Sequence, residues 1–422
     1  MFSMLVEMLR RFREEFGYNP QVVVSSPGRL DFLNTHQDYK GLPVVSIGVN
    51  LRSYCAIHRR EDSVCRVVSF NLKDEGIEYI DEFNVENLAL KEGRWFGNYI
   101  RAAIIALREQ GYKISGFDAA ILSEVPIGGG LGSSAAFTVS FLGAVNEVFE
   151  LGLDRKQIAE LAYHAEHDIM SIPCGRLDQY GSAFGGVIKI ETRPPYRVEE
   201  IPFRRGIFVV LDSGIKHSTA EIHPRRQADI DRGLELLLGM SDLPESLRRK
   251  LGRKYYEPKW EEISEEEIRP FLERLPEKPR ARILFTIREH RSTELALKIM
   301  RGEVPDLDYI TSILGDEWRR DVEKALRSSD PILHLIGVIM NQQHALLRDL
   351  YDLSLPELER IRDAALSAGA LGVKISGAGL GGSLIALAPS KDIAERVLKA
   401  GIEAGAKRGW VVNIDVGLRR DL

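Results

Sequence analysis

Cysteine is scarce in this sequence, and long apolar runs are absent from it. The 422 residues include three cysteines, Cys55, Cys65 and Cys174. Their spacing matches no metal-binding pattern and leaves at least one thiol unpaired, which favours a reducing compartment. No apolar run is long enough to cross a bilayer, and the N-terminal segment lacks the apolar stretch of a signal peptide. We therefore expect a soluble, cytoplasmic protein.

The sequence also lacks a strong excess of charge of either sign. Lysine and arginine number 57 and aspartate and glutamate number 62, so that the net charge is -5. This balance gives no electrostatic reason to expect a nucleic acid or an anionic membrane as partner. The length exceeds the ~250–300 residues at which single hydrophobic cores stop growing, and it therefore predicts two domains.

Glycine, in contrast, is concentrated between a strand-like segment and an apolar helical segment. Glycines let the backbone bend and approach a ligand closely, and the first N–H groups of the following helix have no intrahelical acceptor. Such a loop favours binding of a phosphate chain, although a ligand-free turn remains an alternative. It matches neither the Walker pattern nor the dinucleotide-binding glycine pattern. The residues of this predicted phosphate loop are Pro126, Gly128, Gly129, Gly130, Leu131, Gly132, Ser133, Ser134 and Ala135.

Four segments together resemble the GHMP kinases. Residues 126–136 resemble the nucleotide loop of that family, residues 26–41 the first galactokinase signature, and residues 372–383 the third, C-terminal block. Residues 172–179 are similar to a stretch of the galactokinase branch in particular. The resemblance implies an α+β, two-domain GHMP kinase fold with the active site in the inter-domain cleft. We expect domains at 1–204 and 205–422, the second with a helical insertion at about 240–330.

The same resemblance implies ATP-dependent phosphorylation of a sugar hydroxyl, with ATP and Mg²⁺ as cofactors. Asp178 would accept the proton of the attacking hydroxyl, and Arg29 would keep Asp178 ionised and stabilise the phosphoryl group. Glu166, twelve residues before Asp178, would hold Mg²⁺ together with the Ser134 hydroxyl. The alternatives are a structural ion pair for Arg29 and Asp178 and a solvated helix face for Glu166.

An aromatic residue near the adenine is also implied. The stretch before Asn98 resembles a family motif, but an extra residue makes either Trp95 or Phe96 the aromatic in question. Both residues could equally be core aromatics of a helix.

For the sugar, the resemblance implies contacts from residues 26–41, 172–179 and 372–383. Galactokinases carry a glutamate, which takes the 6-hydroxyl of the sugar, where this sequence has Thr35. A second substrate-contacting element, residues 217–226, is shortened and carries Ile222 and His223 where a tyrosine is expected. A site that bonds one particular hydroxyl rejects analogues strongly, so these changes affect specificity. The predicted substrate residues are Thr35, His36, Asp38, Gly175, Asp178 and Gly377.

The leading functional prediction is a galactokinase-like sugar 1-kinase that acts on galactose or a related hexose. The alternatives are a kinase for a C6-altered sugar, an amino sugar, a uronic acid or a polyol, and a non-catalytic sugar and ATP sensor. Residues 133–136, which known sensors of this kind alter, are intact and favour the enzyme. Either a monomer or a dimer is compatible with the sequence.

Hydrophobic periodicity predicts the main elements. Helices are expected at 4–16, 95–107, 135–149, 283–300 and 333–350, and another after an N-cap at Asp154. Strands are expected at 22–24, 117–123 and 208–212, with an antiparallel meander formed by 44–49, 53–58, 65–71 and 76–82. Residues 240–280 have the composition of solvated helices with loops, and we expect residues 302–330 to be an insertion.

Overall fold

The computed structural model describes residues 2–216 and 219–422. Its strands are β1 (Val22–Leu33), β2 (Val44–Arg59), β3 (Val64–Ser69), β4 (Ile80–Asn84), β5 (Phe117–Ser123), β6 (Val187–Ile190), β7 (Val198–Ile201), β8 (Ile207–Asp212), β9 (Gly372–Ser376), β10 (Ser383–Ala388), β11 (Arg408–Val412) and β12 (Arg419–Arg420). Its α-helices are α1 (Phe2–Phe16), α2 (Phe70–Asp74), α3 (Gly97–Glu109), α4 (Ser133–Val148), α5 (Arg155–His164), α6 (Leu177–Phe184), α7 (Thr219–Leu238), α8 (Glu245–Arg248), α9 (Glu265–Leu272), α10 (Glu277–Met300), α11 (Leu307–Leu314), α12 (Arg319–Leu326), α13 (Pro331–Asp349), α14 (Pro356–Ser367) and α15 (Lys391–Glu403). Among the described residues, no helix is both long and apolar enough to span a membrane.

The chain forms two compact units. Unit 1 comprises residues 1–30, 47–186 and 414–422, and unit 2 comprises residues 31–46 and 187–413. These bounds interleave along the chain and differ from a single division after residue 204. That division stays a prediction for the family domains. Of the shortened element that begins at His217, residues His217 and Ser218 lie outside the described part of the chain.

Unit 1 is built on a mixed sheet in the order β12-β1-β2-β5-β3-β4. The predicted antiparallel meander is correct for β3 and β4, which pair antiparallel, but the predicted strands 44–49 and 53–58 form the single strand β2. Its strand order is wrong, because β5 lies between β2 and β3 and pairs in parallel with β3. The strand predicted at 65–71 also ends early, since Ser69 accepts a hydrogen bond from Leu72 N–H and begins α2. Helix α1 covers one face of this sheet, where Met8 and Phe12 are fully buried.

Helix α4 of unit 1 and the π-helical turn that follows α5 carry residues of the predicted phosphate and metal sites. Helix α4 leaves the glycine-rich loop as predicted, and its interior positions are almost all buried. Helix α5 begins at the predicted N-cap, where Asp154 and Gln157 form a reciprocal capping box. It continues into a π-helical turn, Ala165–Ile169. Such turns are rare and occur often at functional sites.

Unit 2 contains an antiparallel four-stranded sheet in the order β11-β8-β10-β9. Helices α10 and α13 confirm the two long helices predicted for this half. Residues 240–280 are less solvated than their composition indicates, because Leu243, Trp260 and Ile268 join a buried cluster with α7 and α10. The 302–330 segment folds into α11, a 3₁₀ turn and α12.

Candidate active site

The glycine-rich loop of unit 1 has the backbone geometry of an anion-binding turn. Gly128, Gly130 and Gly132 have φ angles of 70°, 73° and 68°, which favour glycine. Gly132 is the N-cap of α4 and supplies no side-chain hydrogen bond to the helix. The first N–H groups of α4 are therefore left for a ligand at the positive end of the helix dipole.

Strand β1 holds this loop in place. Arg29 N–H donates to Leu131 O at 2.8 Å, and the Arg29 guanidinium donates to Gly130 O at 2.6 Å. A Cβ added at Gly28 would lie 2.9 Å from Leu131 O and 3.0 Å from the Val125 side chain. The first signature therefore fixes the loop through backbone contacts that a larger residue at 28 would disturb.

Arg29 and Asp178 form an ion pair within unit 1. Arg29 Nε and Nη2 donate to the same carboxylate oxygen, Asp178 Oδ1, at 2.9 and 2.7 Å. Asp178 lies in the first turn of α6, and its side chain is 30% exposed. The pair is therefore partly open, unlike a fully buried structural pair.

Glu166 lies in the π-helical turn and faces Ser134. The Ser134 hydroxyl donates to Glu166 Oε2 at 3.0 Å, whereas Oε1 has no hydrogen-bond partner in the described part of the chain. Burial and then the charge of Asp178 raise the pKa of Glu166 to about 7. Glu166 is 2% exposed, so the alternative of a solvated helix face is wrong.

The other predicted residues of unit 1 lie in less defined positions. Trp95 is half-buried, packs on Phe96 with ring centroids 4.7 Å apart, and has the Lys91 ammonium over its ring at 4.3 Å. The Asn98 side chain accepts a hydrogen bond from Lys91 N–H and donates one to Lys91 O, and so holds the loop between these two residues. Gly175 is exposed in the loop before α6. The adenine and sugar roles of Trp95 and Gly175 stay predictions.

In unit 2, the acceptor segment (residues 31–41) has an unusual backbone. Asn34 and His36 both have φ angles of 64°, a region that asparagine tolerates better than most residues. His36 Nε2–H donates to Ala378 O at 2.9 Å, and His36 Nδ1 accepts from the Tyr39 hydroxyl at 3.1 Å. Burial, followed by the nearby charge of His223, holds the pKa of His36 well below its usual value. His36 is therefore neutral near pH 7, and its role in sugar binding stays a prediction.

Thr35 is tied into a buried polar cluster. Lys374 Nζ donates to Thr35 Oγ1 at 2.9 Å, and the Thr35 hydroxyl donates to Asp31 Oδ1 at 3.3 Å. Gly377 N–H donates to the other oxygen of Asp31 at 3.2 Å. Residues 26–41 and 372–383 thus meet at Asp31. The Thr35 hydroxyl already accepts one hydrogen bond and donates another.

Asp38 begins a 3₁₀ turn that ends at Lys40. Burial and then the charge of Asp31 raise the pKa of Asp38 to about 6. Asp38 is half-buried and is charged above that pH. It can then accept hydrogen bonds from hydroxyl groups.

Sequence reasoning missed three buried charged residues: Lys40 within the acceptor segment, and Glu289 and Lys374 elsewhere in unit 2. Lys40 Nζ donates to Gln37 Oε1 and Thr286 Oγ1, each at 3.0 Å. Neither Glu289 carboxylate oxygen has a hydrogen-bond partner among the described atoms, and burial raises its pKa to about 8. The only sequence signal was a charged residue in an otherwise apolar segment. Composition alone does not show whether such a residue is buried or exposed, because most charged residues lie at the surface.

Comparison with known proteins identifies the family. Residues 98–186 match the description "GHMP kinases N terminal domain", residues 323–407 "GHMP kinases C terminal", and residues 10–59 "Galactokinase galactose-binding signature". A curated galactokinase of Streptomyces coelicolor is 31% identical over 407 residues, which cover 94% of this chain and 92% of that protein. The chain belongs to the GHMP kinases. This confirms both the family and the α+β, two-domain GHMP kinase fold implied by the motifs.

Two further relatives support this assignment. The galactokinase of Pyrococcus furiosus is 28% identical over 92% of this GHMP kinase and 95% of its own length. The crystal structure of Lactococcus lactis galactokinase complexed with galactose has a TM-score of 0.76 at 24% identity and covers 99% of both chains. At that identity, the structural likeness establishes the fold alone. As a kinase of this family, the protein uses ATP.

The residues of this GHMP kinase fit a Mg²⁺ ion. Glu166 offers an unpartnered, buried carboxylate oxygen, and the Ser134 hydroxyl lies against the same carboxylate. Within residues 2–216 and 219–422 there is no cluster of three or more acidic, histidine or cysteine ligands. Magnesium in kinases is commonly held by one or two protein oxygens together with substrate phosphates. Glu166 and Ser134 would therefore hold the ion with the nucleotide.

Proposed function

We propose that this ATP-dependent sugar kinase transfers the γ-phosphoryl group of ATP to the C1 hydroxyl of galactose. The observation that carries the proposal is the partly open ion pair of Arg29 with Asp178, because Arg29 also binds the glycine-rich loop at Gly130. One side chain thus joins an anion-binding turn to a carboxylate of the kind that acts as a base. The galactokinase relatives and the galactose-binding signature support galactose as the acceptor.

Each residue has a defined task in this proposal. Asp178 accepts the proton of the C1 hydroxyl, whose oxygen forms a bond to the γ-phosphorus while the bond to the leaving ADP oxygen breaks. Arg29 orients Asp178 and stabilises the negative charge that develops on the phosphoryl oxygens. The N–H groups of the loop hold the phosphates. Bound Mg²⁺ would neutralise phosphate charge.

A kinase for a sugar altered at C6 is a second candidate. The Thr35 hydroxyl, which stands where galactokinases carry a carboxylate, is held by Lys374 and Asp31. It therefore brings no negative charge to the acceptor segment. In this second candidate, Asp38 still accepts hydrogen bonds from the ring hydroxyls of the sugar, whereas the site discriminates only weakly between substituents at C6.

A screen of ADP release tests both candidates. The panel comprises galactose, glucose, N-acetylhexosamines, uronic acids, arabinose, fucose and inositol, each with ATP and Mg²⁺. Galactose should give the highest kcat/KM, with phosphate on C1 of the product as shown by NMR. Asp178→Asn serves as the control and should lower turnover at least about a hundredfold while ATP affinity is kept. The proposal would be wrong if no sugar in the panel were phosphorylated, or if Asp178→Asn kept a near-normal turnover.

A further inference from the structure

The acceptor segment contains a fully buried lysine to which the proposed function assigns no role. Lys40 ends the 3₁₀ turn that Asp38 begins, and it is 0% exposed. Its Nζ donates to Gln37 Oε1 and to Thr286 Oγ1, each at 3.0 Å, and Gln37 Nε2 donates to Thr286 O at 2.9 Å. These hydrogen bonds form a closed ring that ties the acceptor segment to α10.

Three aromatic rings lie against the same ammonium group. Lys40 Nζ is 5.5 Å from the ring centroid of Tyr39, 4.8 Å from that of Phe285 and 4.6 Å from that of Tyr351. Phe285 and Tyr351 stack with centroids 4.0 Å apart, and Arg226 of α7 donates to Tyr351 O at 2.7 Å. The negative face of an aromatic ring attracts a cation, most strongly where water is absent. The rings therefore favour the charged form of Lys40.

The rings also connect Lys40 to a predicted substrate residue. The Tyr39 hydroxyl donates to His36 Nδ1 at 3.1 Å and accepts from the Tyr351 hydroxyl at 2.9 Å. His36 Nε2–H in turn donates to Ala378 O. The groups that enclose Lys40 thus hold the His36 ring in one orientation.

The charged neighbours of Lys40 act in both directions. Burial lowers the pKa of Lys40 well below its usual value. The charges of Glu289 and Asp38 oppose this effect, and the charge of Arg282 adds to it. Three rings, two hydrogen-bond acceptors and two carboxylates therefore favour the ammonium against the cost of burial.

Asp38 in turn depends on the charge of Lys40. Burial and then the charge of Asp31 raise the pKa of Asp38, whereas Tyr39 N–H and then the charge of Lys40 lower it. A carboxylate accepts hydrogen bonds at both oxygens, but a protonated carboxyl group has less acceptor capacity. Loss of the Lys40 charge would therefore weaken Asp38 as an acceptor for hydroxyl groups.

We propose that Lys40 is a positioning residue for sugar binding, which fixes the acceptor segment on α10 and supplies the positive charge that keeps Asp38 ionised at neutral pH. The inference rests on the proposed function, because Asp38 contacts a sugar only if a sugar is the acceptor. Lys40 itself is enclosed by protein groups and acts through Asp38 and His36. A neutral residue at position 40 should therefore weaken sugar binding and leave nucleotide binding unchanged.

Kinetics of Lys40→Met test the proposal. Methionine has a similar length and packs well on aromatic rings, but it carries no charge. At pH 7 the KM for the sugar should rise at least about tenfold, and the KM for ATP should stay within about twofold of wild type. The acid limb of kcat/KM for the sugar, expected near pH 6 from Asp38, should move to higher pH. Lys399→Met, at an exposed site on α15, is the matched control and should behave as wild type.

A carboxyl titration separates this inference from the proposed function. In protein with ¹³C-labelled aspartate and no sugar, the Asp38 signal, assigned with Asp38→Asn, should titrate near pH 6 in wild type and at higher pH in Lys40→Met. If the ADP-release screen finds no sugar substrate, this titration still shows whether Lys40 keeps Asp38 ionised. An unchanged Asp38 titration overturns the proposal, because a lysine with only a structural role would leave it in place. Equal increases in the KM for the sugar and for ATP also overturn it.

A second variant covers the case in which Lys40→Met does not fold. Thr286→Val removes one acceptor of Lys40 from outside the acceptor segment and keeps the backbone oxygen that Gln37 binds. The KM for the sugar should rise at least about threefold, with the KM for ATP unchanged. A wild-type KM for the sugar in Thr286→Val would show that the contact with α10 does not position the segment.

Discussion

Arg29 directs two N–H groups at one oxygen of Asp178 and a third at the carbonyl of Gly130. The planar guanidinium can do so because its donors lie in a fixed fork. The carboxylate and the glycine-rich loop are therefore held by the same group, and a change at Arg29 affects both at once.

Arg29→Lys should lower kcat by at least about a hundredfold, because a compact ammonium cannot reproduce the fork that reaches Asp178 and Gly130. Steady-state kinetics and nucleotide binding measure the effect. Arg59→Lys, a change at an exposed arginine of β2, is the matched control and should be neutral. Wild-type kinetics for Arg29→Lys would show that the pair has only a structural role.

Glu166→Gln should raise the Mg²⁺ concentration needed for half-maximal rate by about tenfold or more, because a neutral amide binds a hard cation less tightly than a carboxylate. A Mg²⁺ titration at saturating ATP measures the shift. Glu147→Gln, at an exposed site on α4, should leave the titration unchanged. An unchanged Mg²⁺ profile for Glu166→Gln would exclude Glu166 as a ligand.

The pH dependence of sugar binding should report Asp38. Its pKa is raised to about 6, so the carboxylate is charged above that pH and becomes protonated as the pH falls through it. The kcat/KM for the sugar should therefore decrease below pH 6 as hydroxyl acceptors are lost. The Asp38→Asn variant should have a low kcat/KM for the sugar at every pH, and its pH profile should lack this inflection. Retention of the same inflection in the variant would assign it to another group.

Glu289 should make stability fall as the pH rises. Burial raises its pKa to about 8, above the ~4.3 of an unfolded glutamate, so the folded state binds the proton more tightly. Its stabilising contribution is complete below the unfolded pKa and is lost as the pH rises through about 8. Glu289→Gln should therefore raise the melting temperature at pH 8–9 relative to wild type and change it little near pH 5. If the difference in melting temperature between the variant and wild type stayed the same from pH 5 to pH 9, the prediction would be contradicted.

Selection at C6 of the sugar should be weak. The ratio of kcat/KM for galactose to that for its 6-deoxy or uronic analogue should lie within about tenfold, since Thr35 brings no carboxylate. Thr35→Glu should widen the ratio towards galactose, and Thr35→Ser, which keeps the hydroxyl bound by Lys374, should not change it. A wild-type preference for galactose by several orders of magnitude would show that another residue determines specificity.

Local sequence predicted the features that depend on local chemistry. The glycines of the loop, the Asp154 cap and the long helices α10 and α13 follow from backbone freedom, capping and periodicity. The place of β5 between β2 and β3 was missed, because strand order depends on pairing between distant segments. Lys374 was missed for a related reason: its partners, Thr35 and Asp31, lie more than 300 residues away.

The return of residues 414–422 to unit 1 has a consequence for synthesis of the chain. Arg52 is 2% exposed and donates to Asp415 Oδ2, Val416 O and Gly417 O, and β12 pairs with β1. While these residues are still inside the ribosome, the Arg52 guanidinium lacks most of its acceptors and β1 has an open edge. Unit 1 therefore gains these contacts only after residues 187–413 of unit 2 have been made.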